Sequence, residues 1–307
     1  MSLTPSITLG LWGLSMKIII TPHQGWHSQG GPNPIDLPIN PDKIVCDIVE
    51  ANLSTFDENK TFVKMWFSKL YHDSGNNLSF VQNEISKITE HNSRSDLVFL
   101  CGHIIANMLD FGQNKVLTYH GSHYNDHTVT IPMPAFNFCD APKDFHQRTI
   151  KASFAGSFDT HWTRRHLWYS LLGRNDCTVK DTGAWHYYKD KKSQTPEFTN
   201  FKDLLGNSIM TLAPRGTGPC TIRLWESLES QSIPVVISDE YKDPYISDFQ
   251  LSDMCIRIRE CDAQNVGNII DSIDPMELLK KHNIIQKYTE TPYEYRVLET
   301  IKKELAK

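Results

Sequence analysis

"APRGTGPCTIRLWESLESQSIPVVISDEYKDPY" occupies Ala213 to Tyr245 and holds, in order, a glycine-proline turn, a helix carrying Arg223 and Glu226, and a strand. The apolar run "SIMTLAP" (208–214) before it reads as a buried strand, so the unit is strand, turn, helix, strand. In Arg215-Gly216-Thr217-Gly218-Pro219 the glycines let the backbone approach a ligand closely, and Pro219 suits a first helical turn. Unpaired N–H groups at such a helix start, with the positive end of its dipole, suit a phosphate or diphosphate. Cys220 and Thr221 belong to the same cradle. Arg223 and Glu226, three residues apart, share a helix face. A guanidinium there can neutralise a diphosphate, and the carboxylate can accept hydrogen bonds from a ribose diol. The plainer reading of the pair is an i,i+3 surface ion pair.

Working outward, "IKASFAGS" (150–157) reads as a strand ending in a second glycine turn at Gly156 and Ser157, before a helix from about 160 to 172 that carries Arg164 and Arg165. Two such turns can grip a diphosphate from both sides, with one of these arginines pointing inward. "CTVKDT" as a strand, "TNFKDLLGN" as a helix and "IPVVISD" as a strand complete a Rossmann-like alternation, which implies a parallel sheet with its ligand crevice beyond the carboxyl ends of the strands. "PYEYRVLETIKKELAK" (292–307) is a closing helix with Val297, Leu298, Ile301 and Leu305 on one face.

The first half alternates in the same way. A strand at 17–21 leads into the loop "PHQGWHSQGGPNP", and "DLVFLC" (96–101) and "NKVLTYH" (114–120) read as strands. "ENKTFVKMWFSKLYHD" and "LSFVQNEISKITEHN" show helical spacing of apolar residues. Three prolines in "VTIPMPAFNFCDAPKDFHQR" end this half near Pro134, with a linker to about Arg148. The expected organisation is an N-terminal extension (1–15), a first Rossmann-like domain (16–148), a second (149–291) and the closing helix (292–307).

A chain of 307 residues suits two domains, and 39% hydrophobic with 22% charged residues is an ordinary globular mixture. A net charge of −5 argues against nucleic acid as a partner. Seven cysteines without a Cys-x-x-Cys pair favour free thiols over a disulfide framework or a zinc site. "LTPSITLGLWGLS" near the start is apolar but too short to span a bilayer, so no stable membrane insertion is expected; a signal-anchor remnant is the alternative.

The ordered set "FAGSFDTHWTRRHLW", "FKDLLGNSIMTLAPRGTGPCTIRLWESL" and "SIPVVISDEYKDPY" resembles the exostosin-like proteins, glycosyltransferase family 47, over most of 150–245. "NDHTVTIPMP" extends the resemblance weakly to about 115. It implies an α/β GT-B fold: two Rossmann-like domains, the active site in the interdomain cleft, the nucleotide sugar on the C-terminal domain and the acceptor on the N-terminal one. It further implies inversion at the sugar carbon and a UDP-linked donor such as UDP-xylose, UDP-galactose or UDP-glucuronate. The acceptor would be an oligosaccharide or other glycan hydroxyl, and no cofactor is implied beyond the donor. Gly156, Arg223 and Glu226 match the family's glycine, arginine and glutamate, while Ser232 stands where the family often has glycine. The membrane anchor and lumenal disulfides of eukaryotic members have no counterpart in the sequence, which suits a microbial or large-virus member in the cytoplasm of a microbe or infected host cell better than the Golgi lumen.

No Asp-x-Asp at a strand end suggests a magnesium-bridged diphosphate, so a metal-independent site is expected. Inversion needs a base for the acceptor hydroxyl. The candidates are Asp73 and His123, then His23, His27 and His103, all near predicted element ends. His120 and His123 in "HGSHYNDH" lack a convincing third ligand for a metal. Two rival readings remain: a nucleotide-dependent oxidoreductase, which lacks Gly-x-Gly-x-x-Gly after the first strand, and a glycan-binding protein of the same fold without turnover, whose "GAWHYYKD" (183–190) can stack on a sugar ring.

Overall fold

Strands covered on both faces need apolar side chains on both, and Phe62-Val63, Leu97–Leu100 and Ile233–Ile237 supply them without alternation. The computed structural model describes residues 18–20, 41–57, 59–92, 96–183, 196–246 and 248–307, and these runs are central strands of two parallel sheets.

The first sheet contains β1 (Ile18–Ile20), β2 (Lys60–Lys64), β3 (Asp96–Leu100), β4 (Lys115–Thr118) and β5 (Thr128–Thr130), in that spatial order, and it is parallel from β1 to β4. Helices α1 (Pro41–Ala51), α2 (Phe67–Asp73) and α3 (Leu78–His91) accompany it. Phe67, Phe99 and Phe111 pack ring to ring, with centroids 5.0 to 6.3 Å apart, in a core that takes in Val81 and Ile85 of α3. One expectation fails here. Residues 60–64 of "ENKTFVKMWFSKLYHD" form a strand, and only Phe67–Asp73 is helical. Thr61, Phe62 and Val63 are branched or aromatic, and a buried strand's short apolar run imitates helical spacing.

The second sheet contains β6 (Ile150–Gly156), β7 (Cys177–Asp181), β8 (Ser208–Pro214), β9 (Ile233–Ile237) and β10 (Ile256–Ile258), all parallel, in the order β7-β6-β8-β9-β10. The chain runs from β6 outward to β7, then returns past β6 to β8. This is the 2-1-3-4-5 order of a doubly wound sheet, and its switch point falls between β6 and β8. Among the described residues the first sheet follows chain order without such a reversal, which strand and helix alternation alone does not predict.

Around the second sheet lie α4 (Trp162–Leu171), α5 (Pro196–Gly206), α6 (Ile222–Glu229), α7 (Leu251–Met254), α8 (Val266–Asp271), α9 (Pro275–Thr289) and the closing helix α10 (Tyr293–Leu305). Contacts divide the chain into residues 1–118 with 125–129, and residues 119–124 with 130–307. The proline-rich 131–144 belongs to the second unit and lies along it without regular structure. Cys139 N–H donates to Ser230 Oγ (3.0 Å) and Lys143 N–H to the Gly206 carbonyl (3.1 Å). Arg148 is buried and donates to the carbonyls of Lys143, Ser208 and Ser230; burial brings its pKa down to about 10. All seven cysteines are free thiols.

Arg296 anchors α10. Its guanidinium is 2% exposed, donates to Glu229 of α6 (2.6 Å) and lies 4.0 Å from the Tyr288 ring centre, while burial raises the Glu229 pKa. Arg296→Ala leaves that part-buried carboxylate without its cation and is expected to destabilise the second unit by about 3 kcal/mol. The double variant Arg296→Met with Glu229→Gln should recover most of the loss in urea denaturation. A cost below about 1 kcal/mol for the single change would show that the pair contributes little.

Candidate functional site

At the switch point, the carboxyl ends of β6 and β8 lead directly into the two glycine turns. Both close on one side chain. Arg164, in the first turn of α4, is 8% exposed and spends its donors on backbone: Nη1 on the Ser157 carbonyl (2.8 Å), Nε on the Arg215 carbonyl (2.9 Å) and Nη2 on the Pro214 carbonyl (3.3 Å). Its guanidinium lies 5.5 Å from the Phe154 ring centre. The glycines make room for it. A β-carbon on Gly216 would lie 2.9 Å from Arg164 Nη2, and one on Gly156 2.9 Å from the Phe154 ring and 3.6 Å from Arg164 Nη1. Burial and the charge of Arg223 lower the Arg164 pKa to about 10, which leaves it charged at neutral pH.

Arg164 is therefore the inward arginine. Arg165 is exposed and ion-paired with Asp159. Ser157 is buried and caps the short turn after β6, accepting from Asp159 N–H (3.4 Å).

After β8 the chain runs as an irregular loop to Thr221, and α6 begins at Ile222, so Pro219 precedes the helix instead of opening it. Gly216, Gly218, Pro219, Cys220 and Thr221 are buried and Thr217 is exposed. Burial pushes the Cys220 thiol up to about 11, which makes it a packing residue. Arg223 and Glu226 meet as an ion pair, and it is buried rather than at the surface: the residues are 5% and 0% exposed. Arg223 Nε donates to the Ala155 carbonyl at the end of β6 (2.8 Å), and its guanidinium lies 4.3 Å from the Phe201 ring centre. Burial raises the Glu226 pKa, opposed by Arg223 and by hydrogen bonds from Asn137.

A second charged layer lies at the ends of β8, β9 and β10. Arg215 Nη1 is 3.0 Å from Glu240 and 3.4 Å from Glu260, and its buried Nε has no hydrogen-bond partner among the described residues. Glu260 Oε1 also accepts from Asp239 N–H (3.0 Å). His161, at the N-cap of α4, has Nε2 3.9 Å from Glu260 Oε2; burial and Arg215 lower its pKa. Glu240, Glu260 and His161 were not expected from sequence. Their signal was positional, since Glu240 follows "PVVISD" and Glu260 follows "CIRIR" at strand ends where ligands collect.

The base candidates divide. Asp73 is the last residue of α2, and His103 follows β3 in the first unit. His123 is exposed and belongs to the second unit through the bridge of Ser122 with Tyr241, and its own N–H donates to the Glu240 carbonyl (3.0 Å). It is thus not on the first unit, where the sequence reading placed it. His23, His27 and most of "GAWHYYKD" lie outside the described residues. Among the described residues, no group of three His, Cys, Asp or Glu is arranged to hold a metal ion, and no helix is long and apolar enough to cross a membrane.

Removing Arg164 takes the donor from two buried carbonyls and one part-buried carbonyl, and each buried one costs about 1 to 3 kcal/mol. Arg164→Ala is expected to destabilise the second unit by about 3 kcal/mol or more in denaturant titration, and Arg165→Ala by less than about 0.5 kcal/mol. Equal effects would mean that the clamp does not hold the turns.

The exostosin GT47 domain matches residues 74–273. A probable glucuronosyltransferase of Oryza sativa subsp. japonica is 27% identical over 176 residues, covering 56% of this chain and 39% of that protein. A probable glucuronoxylan glucuronosyltransferase of Arabidopsis thaliana, IRX7, is 27% identical over 155 residues, covering 50% of this chain and 32% of that one. The exostosin-1 homolog of Caenorhabditis elegans is 31% identical over 138 residues, 41% of this chain and 36% of the homolog. The chain thus spans between 32% and 39% of the length of these curated relatives. Among solved structures, the GtfA/B complex aligns with a TM-score of 0.40 at 9% identity, over 87% of this chain and 60% of that one, a likeness too slight to bear on the fold.

Proposed function

The chain belongs to the exostosin GT47 family, and we propose that it is an inverting, metal-independent glycosyltransferase moving a sugar from a UDP-sugar to a glycan hydroxyl. On this reading the two parallel sheets are the halves of a GT-B enzyme, with the donor on the second unit and the acceptor on the first. UDP-xylose, UDP-galactose and UDP-glucuronate are the first donors to test; the rice and Arabidopsis relatives carry glucuronosyltransferase names.

The observation that carries the reading is the layering of charge at the β6/β8 switch point. The inner layer sets Arg164 and Arg223 against Glu226 alone, leaving an excess of positive charge beneath two glycine turns. The outer layer sets Arg215 between Glu240 and Glu260, leaving an excess of carboxylate. A UDP-sugar is divided in the complementary way, with an anionic diphosphate and hydroxyl-bearing sugars on either side. Diphosphate over the turns meets backbone N–H groups and the inner positive charge, and hydroxyls can donate to the outer carboxylates. Glu226, buried, serves the donor through Arg223 by fixing its guanidinium.

Inversion is a single displacement. The acceptor oxygen attacks the anomeric carbon as the bond to the diphosphate breaks, and fixed positive charge stabilises the departing UDP. That role needs no bridging metal, so turnover should survive EDTA.

Thermal unfolding with UDP and with each UDP-sugar tests the donor site: a ligand at about 100 times its Kd stabilises by about 2.7 kcal/mol. Since Arg223→Ala would also leave Glu226 buried and unpaired, the informative variant is Arg223→Met with Glu226→Gln. It should fold and lose roughly 10-fold to 100-fold in UDP affinity, the size of a lost charge-assisted contact of about 1.5 to 3 kcal/mol. Unchanged affinity would remove the pair from the site. Binding of UDP-sugars without UDP release on any acceptor would favour a non-catalytic glycan-binding protein.

A further inference from the structure

In the first unit, α2 ends at Asp73 and the chain turns back through Gly75 and Asn76, both with left-handed φ (71° and 63°). Asn76 N–H donates to the Tyr71 carbonyl (2.8 Å) and Gly75 N–H to that of His72 (3.0 Å). A left-handed conformation is unfavourable for most residues but tolerated by Asn, whose short side chain bonds locally. Here Asn76 Oδ1 comes to 3.0 Å from His72 Nδ1. An amide oxygen only accepts, so Nδ1 carries the proton and Nε2 keeps its lone pair. Among the described residues, Nε2 has no hydrogen-bond partner, and His72 is exposed.

His103 is the opposite case. Its Nδ1 caps the turn after β3, accepting from Ile105 N–H (3.4 Å), so its proton sits on Nε2. Burial, with His72 beside it, lowers its pKa to about 4. It is neutral at pH 7, but the nitrogen left over is a donor, which disqualifies it as the base. The two rings meet nearly at right angles with centroids 5.6 Å apart, and Tyr71 lies 5.5 Å from His72 and 5.7 Å from His103. Because His103 comes three residues after the last residue of β3, the cluster stands at the carboxyl end of that strand, on connecting segments, which carry catalytic side chains more often than the elements they join.

We propose that His72 is the general base of the transfer, with Asn76 as the positioning residue that fixes its tautomer; the assignment rests on the glycosyltransferase reading above. The acceptor O–H gives its proton to His72 Nε2, forming an imidazolium. The acceptor oxygen bonds to the anomeric carbon as the carbon–oxygen bond to the diphosphate breaks, its electron pair leaving with UDP. The exposed imidazolium then returns its proton to water. Tyr71, Asp73 and His103 are the titratable groups beside it, and Asp73, the next residue along the helix, is turned about 100° away.

The test uses the full chain and two readouts. Long-range 1H–15N NMR on histidine-labelled protein should show His72 protonated at Nδ1 and His103 at Nε2, with the His72 preference lost in Asn76→Ala. Transfer is followed with UDP-xylose, UDP-galactose and UDP-glucuronate against a mixed oligosaccharide acceptor set. His72→Ala should lower kcat by roughly 100-fold to 10,000-fold with UDP affinity and thermal stability unchanged, and Asn76→Ala should show part of that loss. A proton on His72 Nε2, or wild-type turnover in His72→Ala, would overturn the assignment and leave the glycosyltransferase reading intact. Absence of transfer by the wild-type chain with every donor would overturn that reading and the assignment with it.

Discussion

One guanidinium closes both strand ends at the centre of the second sheet. Arg164 reaches the Ser157 carbonyl after β6 and the Pro214 and Arg215 carbonyls at and after the end of β8, so the two glycine turns cannot move apart without exposing an unsatisfied buried charge. Its place is enforced by what is missing around it, since side chains at 156 or 216 would crowd the guanidinium or the Phe154 ring beneath it. Arg148 uses the same device nearby, fastening the segment before β6 to carbonyls beside β8 and α6. A planar fork of fixed donors can bind several carbonyls at once, which an ammonium on a flexible stem does poorly.

Such burial has an electrostatic consequence. Burial and the nearby Arg223 charge both disfavour the charged form of Arg164, and the Glu226 carboxylate is ion-paired with Arg223 rather than with Arg164. The balance is restored one layer further out, by the glutamates on either side of Arg215. Charges that cancel in total but not in place create a local field. On the proposed reading, that field is the donor's mould, assembled by folding before any donor binds and so needing little reorganisation when the diphosphate departs.

Residues 150–237 were largely legible because their local signals agree. Strand runs end in glycine, helices follow within a few residues, and the structure keeps nearly those bounds for β6, β8 and β9. Illegible features were those set by tertiary packing. Lys60–Lys64 read as helix because a buried strand's apolar run has no period of its own. Which of Arg164 and Arg165 faces inward depends on α4 docking over the β6/β8 ends, and neighbouring residues differ only by helix phase. The ion pair of Arg223 and Glu226 was visible as spacing, while its depth was not, since the groups that meet it include Phe201 and Asn137 from distant stretches. Glu240 and Glu260 were missed because a carboxylate just past a strand end is a weak signal by itself; only the sheet shows that three strand ends converge on Arg215.

The two units also differ in how tightly chemistry binds them to sequence. The second has a switch point, and its buried charges fix residue type at 156, 164, 216, 223 and 226. The described strands of the first sheet run in chain order and are held by apolar packing such as that of Phe67, Phe99 and Phe111. Apolar cores tolerate substitution if volume and pattern are kept, whereas a guanidinium shared among three carbonyls does not. A match to relatives should then be densest over the second unit and fade toward the start of the first. The exostosin GT47 domain spans residues 74–273, leaving outside it β1, β2, α1 and α2 with His72 in the first unit, and α9 and α10 in the second. On the proposed division of labour the first unit is the half that meets the acceptor. An apolar core that accepts substitution would let that half follow different glycan acceptors, while a donor site built on buried charge would hold the other half to its residue types.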